Sequence, residues 1–331
     1  MASQNCYWDD AGSDEDWQAA GNWYTETEAD RVPLADDKVI FDARMVTAPA
    51  EGMLDSESGA AAQGSYDLLH FKSGYTGGVA TAAEPLCCAP EKIIIEGTGT
   101  YHIMCGETNQ TTDADIPITI INNKDAIVYL YSNANSATNL AEFTDVYLIS
   151  GTLYIAWQTL ELDIGCYVKN LYMSPKNNSP GEATVDIDKD CYDELNDVPT
   201  NVYMQNGTLT ADCQIGTFDM LAGTTTYGDS ASAETVLDIT TLRLYGGTLN
   251  WQPNEAAATI TTAHLFGGTL NGGGSTNSAN GKVITTTYLY TGATLDASTE
   301  RGNVTLTNLY KFGGTLTLDK SAKIAVTYNQ P

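Results

Sequence analysis

Basic residues are scarce in this chain. Its 331 residues include 15 Lys+Arg against 42 Asp+Glu, a formal charge of −27. Neutralising a phosphate backbone needs clustered Lys and Arg, so nucleic acid is not an expected partner. An anionic membrane surface is disfavoured for the same reason. No run of about 18 apolar residues occurs, so no helical membrane span is expected. The opening MASQNCYWDDAGSDEDW is acidic and lacks an apolar stretch, so no Sec-type signal peptide is expected. Histidine appears only at His70, His102 and His264. The patterns H-x-x-x-H, H-E-x-x-H, C-x-x-C, G-x-S-x-G and G-x-x-x-x-G-K-[ST] are all missing. Zinc, thioredoxin-like, serine-hydrolase and phosphate-loop chemistry therefore lack their usual carriers.

The seven cysteines, Cys6, Cys87, Cys88, Cys105, Cys166, Cys191 and Cys213, are odd in number and scattered. They are expected to be free thiols in a chain made in a reducing cytoplasm.

What is abundant is a repeat. One octad recurs as Val146–Leu153 (VYLISGTL), Val202–Leu209 (VYMQNGTL), Phe218–Thr225 (FDMLAGTT), Leu242–Leu249 (LRLYGGTL), Ala263–Leu270 (AHLFGGTL), Tyr288–Leu295 (YLYTGATL) and Leu309–Leu316 (LYKFGGTL). A degraded copy is visible at Leu171-Tyr172-Met173. Alternating apolar residues, as at Leu242 and Leu244, put one row of side chains inward. The glycines supply a corner, and Thr-Leu resumes an extended strand. Helical periodicity is absent, while Thr and Tyr favour strands. One such unit cannot bury its apolar row, but stacked units can. The expected fold is all-β: a β-helix (β-solenoid) with 21–25 residues per coil, judged from the spacing of the last five octads. A leucine-rich repeat would need an Asn position and a helical stretch, and a propeller blade roughly 40–50 residues. A plain sandwich would not repeat the same Gly-Thr-Leu corner.

The first third differs. Trp8, Trp17 and Trp23 precede Pro33 and Asp37-Lys38-Val39-Ile40-Phe41-Asp42. A solenoid end needs covering, so residues 1–90 are expected to form an irregular Trp-rich cap. A docking or sugar-stacking surface is the alternative. Residues 91–331 are expected to form the solenoid, with an acidic excursion near 176–199 and a closing strand at Ala322–Tyr328. Tyr66–Gly78 and Lys92–Gly99 look like early strands, and residues 46–65 a loop.

The combination Trp8, Trp17, Gly21-Asn22-Trp23, Val32-Pro33 and Asp37 to Asp42 resembles a pattern of phage and bacterial β-solenoid proteins, in which W…GNW…VP…D-x-V-x-F precedes glycine-rich strands. Ser73-Gly74-Tyr75-Thr76-Gly77-Gly78 and Glu96-Gly97-Thr98-Gly99-Thr100 resemble that family too. The motif likeness runs through Thr100, and the remainder is similar only in repeat style. Tailed-phage members look like virion structural proteins. The resemblance implies a non-enzymatic capsid decoration (cement) protein. Such a protein would be a homotrimer on the outer surface of the virion, bound to the major capsid protein and synthesised in the host cytoplasm. A trimeric tailspike that recognises or degrades surface polysaccharide is the alternative; it would show a row of exposed aromatics beside two carboxylates in a groove.

No catalytic residue, cofactor site or metal site is nominated. Carboxylates are too numerous for any pair to stand out as an acid–base dyad. Arg243, Lys282, Arg301 and Lys311 are too sparse for lyase-type anion stabilisation. His264 and His70 are expected on strand surfaces. Asp186-Ile187-Asp188-Lys189-Asp190 has the alternation of a calcium loop, but Cys191 stands where glycine is needed and Asp197 where glutamate is. A solvated acidic loop is expected there, with adventitious calcium as the alternative.

Overall fold

The computed structural model describes residues 3–9, 17, 19–26, 31–34, 36–43, 66–81, 85–105, 115–132, 142–155, 166–174, 182–188, 200–228, 237–252, 258–272, 281–298, 304–318 and 327–329. The loop expected at 46–65 and most of the 176–199 excursion lie outside them. The chain divides into two compact units, Met1–Asn170 with Asp193–Asn196, and Leu171–Tyr192 with Asp197–Pro331. Both are built from parallel strands stacked coil on coil, and the fold is a β-solenoid. Apart from one 3-10 turn at Ala20–Asn22, the regular structure of the described residues is all strand.

The first unit holds β1 (Asn5–Trp8), β2 (Trp23–Thr25), β3 (Lys38–Phe41), β4 (Leu68–Phe71), β5 (Leu86–Cys88), β6 (Lys92–Ile95), β7 (Gly99–Cys105), β8 (Ile116–Ser132) and β9 (Glu142–Ile155). β1 runs antiparallel to β2 and parallel to β3. From β3 on, neighbours are parallel, and Phe41, Phe71, Ile95, Ile121 and Leu148 occupy one inward row. Parallel stacking therefore begins well before residue 91. A second row runs Leu86, Ile103, Leu130, Ile155.

Trp8, Trp17 and Trp23 are at most 1% exposed. The Trp23 ring meets Trp8 edge-on at 5.1 Å and Trp17 at 4.8 Å, and its Nε1 donates to the Trp17 carbonyl at 2.8 Å. All three pack on Phe41, which stacks on Phe71 at 4.7 Å. Their faces are spent on each other, so these indoles offer nothing for a sugar to stack on. Asp37 ties this region together. Its carboxylate accepts from the backbone N–H groups of Gln4 (3.0 Å) and Leu34 (2.7 Å) and from the Arg31 guanidinium (2.6 and 3.1 Å).

β10 (Tyr167–Met173) ends in the second unit, which continues with β11 (Ala183–Ile187), β12 (Thr200–Met204), β13 (Thr208–Ala211), β14 (Ile215–Met220), β15 (Thr224–Tyr227), β16 (Leu237–Leu244), β17 (Thr248–Trp251), β18 (Ala258–Leu265), β19 (Gly268–Asn271), β20 (Lys282–Leu289), β21 (Ala293–Ala297), β22 (Val304–Lys311), β23 (Thr315–Leu318) and β24 (Thr327–Asn329). Even-numbered strands from β12 stack in one parallel ladder and odd-numbered strands from β11 in another. The closing strand is Thr327–Asn329, shifted toward the C-terminus from the expected Ala322–Tyr328, and residues 322–326 lie outside the described set.

Successive coils face the same residue types inward: Met204, Met220, Leu244, Leu265, Leu289 in one row, and Leu209, Thr225, Leu249, Leu270, Leu295 in the other. Thr225 is the polar exception. Its buried hydroxyl donates to the thioether sulfurs of Met204 (3.5 Å) and Met220 (3.7 Å), the coils where the first row is methionine. Each octad has a glycine at positive φ at its corner: Gly151, Gly207, Gly223, Gly247, Gly268, Gly292 and Gly314. The register corrects one alignment. Leu265 pairs with Leu289, but Gly268 pairs with Ala293. The corner of the Tyr288 octad is thus one residue longer than that of Ala263–Leu270, and Tyr290, not Thr291, stands beside Phe266.

Lys282 is a charged residue that points inward. It is 1% exposed, and its Nζ donates to the carbonyls of Trp251 (3.0 Å) and Gly272 (2.9 Å), which end two neighbouring coils of the β17–β19 ladder. Burial pushes the ammonium down to about 8. An unfolded lysine titrates near 10.4, so between those values the unfolded chain binds the extra proton and this group makes the fold more stable as pH rises. Buried Cys88 and Tyr227, whose groups burial pushes upward, act in the opposite sense. The measurable quantity is therefore a difference. Urea unfolding of wild type and Lys282→Met should show wild-type stability gaining on the variant by about 1 kcal/mol per pH unit between about pH 8.5 and 10. A constant difference would mean that Lys282 titrates as an exposed lysine.

Candidate functional site: two aromatic columns on an outer sheet face

Where Leu242 and Leu244 point inward, Arg243 and Tyr245 between and after them point outward. Stacked coils turn such positions into columns. The first column runs Tyr203, Asp219, Arg243, His264, Tyr288, Tyr310. The Arg243 guanidinium holds the Asp219 carboxylate at 3.0 and 3.2 Å. His264 stacks on Tyr288 at 4.6 Å and 4°, and Tyr288 on Tyr310 at 5.0 Å and 13°. Burial, helped by the neighbouring Arg243 charge, lowers the His264 pKa, which keeps the imidazole neutral at neutral pH.

The second column lies two residues further along each strand and runs Leu221, Tyr245, Phe266, Tyr290, Phe312. Each backbone N–H of this column donates to the preceding coil at 2.8–3.0 Å, which fixes the register. Tyr245, Phe266, Tyr290 and Phe312 stack at 4.9, 4.8 and 5.1 Å with planes within 13°. The columns touch through His264 and Phe266, 5.9 Å apart. Leu221, Tyr245, Phe266 and Phe312 are 52, 47, 38 and 46% exposed.

The geometry decides what the rings can do. The coil pitch of about 4.8 Å matches the thickness of an offset aromatic stack, so each ring covers the faces of its neighbours. What reaches solvent is a wall of ring edges, which carry the positive end of the quadrupole, and tyrosine hydroxyls. A sugar that binds by laying its C–H face on a ring would find those faces taken. The first unit has a shorter column of the same kind, His102 on Tyr129 on Tyr154 at 4.6 and 4.7 Å, and His102 Nδ1 shares a 2.9 Å hydrogen bond with the Tyr131 hydroxyl.

The residues weighed from sequence do not converge. His264 belongs to the wall, and His70 pairs with Glu96 at 3.0 Å in the first unit. Of the four sparse cations, Arg243 faces out, Lys282 faces in, Lys311 stands in register with inward Leu289, and Arg301 lies outside the described residues. Asp186 is described, and burial followed by the charge of Asp188 raises its pKa. Lys189, Asp190, Cys191 and Asp197 lie outside the described residues. Among the described residues no group of three or more His, Cys, Asp or Glu is placed to hold a metal. Cys6, Cys87, Cys88, Cys105, Cys166 and Cys213 are buried free thiols. Burial, then the Asp37 charge, pushes the Cys6 thiol to about 12, so it is a poor nucleophile.

No protein-family model, curated protein or solved structure matches the chain.

Proposed function

We propose that the chain is a non-enzymatic virion structural protein of the capsid decoration (cement) type. It would be a homotrimer that binds the outer surface of the major capsid protein shell. The supporting observation is the edge-out aromatic wall: a stiff, nearly uncharged strip on a β-solenoid suits packing against protein better than gripping sugar. The buried Trp8–Trp17–Trp23 cluster serves in this proposal as the end cap of the first unit. The acidic remainder of the surface keeps the particles soluble and apart.

A tailspike that acts on polysaccharide has one observation in its favour, the row of exposed aromatics itself. Against it, those rings are stacked shut, and the one carboxylate in the two columns, Asp219, is engaged by Arg243. A map of intact virions distinguishes the two. Density for this chain on the outside of the head supports the cement role. Density at the tail, or depolymerisation of host polysaccharide by the purified protein, overturns it.

A further inference from the structure

We infer that the double aromatic column of the second unit is a self-association face, and that its occupant is the same column of a second copy of this chain. The inference deepens the oligomer proposed above by naming the surface that makes it. Eight large hydrophobics are markedly exposed among the described residues, and four of them, Leu221, Tyr245, Phe266 and Phe312, fall in this one column. Scattered apolar residues need no explanation, but a contiguous exposed strip marks a contact surface. It extends about 19 Å from Leu221 to Phe312, four coil steps of about 4.8 Å.

Charge selects the occupant. A chain carrying −27 repels its own copies over most of its surface. Here six positions of one column and five of the other contain a single carboxylate, Asp219, and Arg243 neutralises it at 3.0 Å. The strip carries no net charge, because Arg243 offsets Asp219, so two copies can bring it together without the net repulsion that the acidic surface imposes elsewhere. The column also runs along the stacking direction. Copies related by an axis parallel to it meet ring against ring at the coils of Tyr245, Phe266, Tyr290 and Phe312, which gives a closed, self-complementary contact. The strip is small beside the ~800 Å² per partner of a standard interface, so it forms the apolar centre of the contact and association depends on concentration.

Sedimentation velocity on the full chain tests this. Wild type should pass from monomer to oligomer with rising concentration. Added salt should favour the oligomer, because it screens the repulsion between acidic copies. Phe266→Glu/Tyr290→Glu should remain monomeric at every concentration, and Phe266→Tyr should behave as wild type. A monomeric wild type overturns the inference, while head binding remains testable by the virion map. An oligomer unchanged in the double glutamate variant also overturns it, and leaves the trimer standing on another face. If that variant does not fold, a benzophenone side chain at position 290 replaces it. Light-induced cross-links between copies support the face, and monomer alone overturns it.

Discussion

Gly247→Ala should cost about 3 kcal/mol or more in urea unfolding, while Gly281→Ala should cost nothing and add up to about 1 kcal/mol. Gly247 sits at φ +77°, where an L side chain is strained. A Cβ there would meet the Gly223 carbonyl oxygen at 2.5 Å and Met220 Cε at 2.7 Å. The methionine end can swing away, but the carbonyl belongs to the coil ladder and accepts from the Thr248 N–H at 3.0 Å. Moving it disturbs the next coil as well. Gly223 stands in the same relation to Gly207, whose oxygen would lie 2.4 Å from its Cβ. The corners therefore stack backbone on backbone. Gly281 is the control, with no positive φ and nothing within 4 Å of its Cβ. Equal effects of the two substitutions would mean that the corners are not in contact.

Asp37→Asn should destabilise the protein by about 3–5 kcal/mol at pH 7, because it breaks a largely buried ion pair and leaves the Arg31 charge poorly compensated. Asp37 is 2% and Arg31 18% exposed. Burial alone would raise the Asp37 carboxyl, but the Arg31 hydrogen bond and the amides of Leu34 and Gln4 outweigh it and hold the group below the ordinary aspartate value. The folded value is the lower one. Its stabilisation is thus complete above about pH 4 and disappears as the pH falls through the folded value. Wild type should lose its advantage over Asp37→Asn in acid. Lys124→Ala, which removes an exposed pair with Asp125, should leave the midpoint unchanged. An Asp37→Asn midpoint equal to wild type at pH 7 would remove Asp37 as the organiser of the first coils.

These two residues show how much could be read in advance. The glycine corners and inward leucines were legible because stacking favours one residue type at one register: all seven octads keep a corner glycine, and the inward rows depart from leucine at only a few coils, as at Met220 and Thr225. The D-x-V-x-F element was visible as a pattern, but its reason was not. The partners of Asp37 come from Gln4, Arg31 and Leu34, and no local periodicity links them. The aromatic columns escaped for a different reason. Repetition reports the core at inward positions, whereas the outward residues vary from Leu221 to Tyr245 to Phe266. The extra residue in the Tyr288 octad also aligns Thr291 with Phe266 in sequence, where the fold places Tyr290. Lys282 was visible only as one of a few sparse cations. Its burial depends on the carbonyls of Trp251 and Gly272, which only coil stacking brings together.

The claim beneath all of this is that sequence neighbours lie one coil apart in register. Spin labels on cysteines at Thr315 and, in turn, Thr248, Thr224 and Thr208 test it most directly, since these residues share one outward column with Thr269 and Thr294. The separations should rise in even steps, with Cα distances of about 14, 19 and 24 Å, one pitch of about 4.8 Å per added coil. Distances that do not increase in that order, or that jump by tens of ångströms between adjacent coils, would contradict the stacked solenoid.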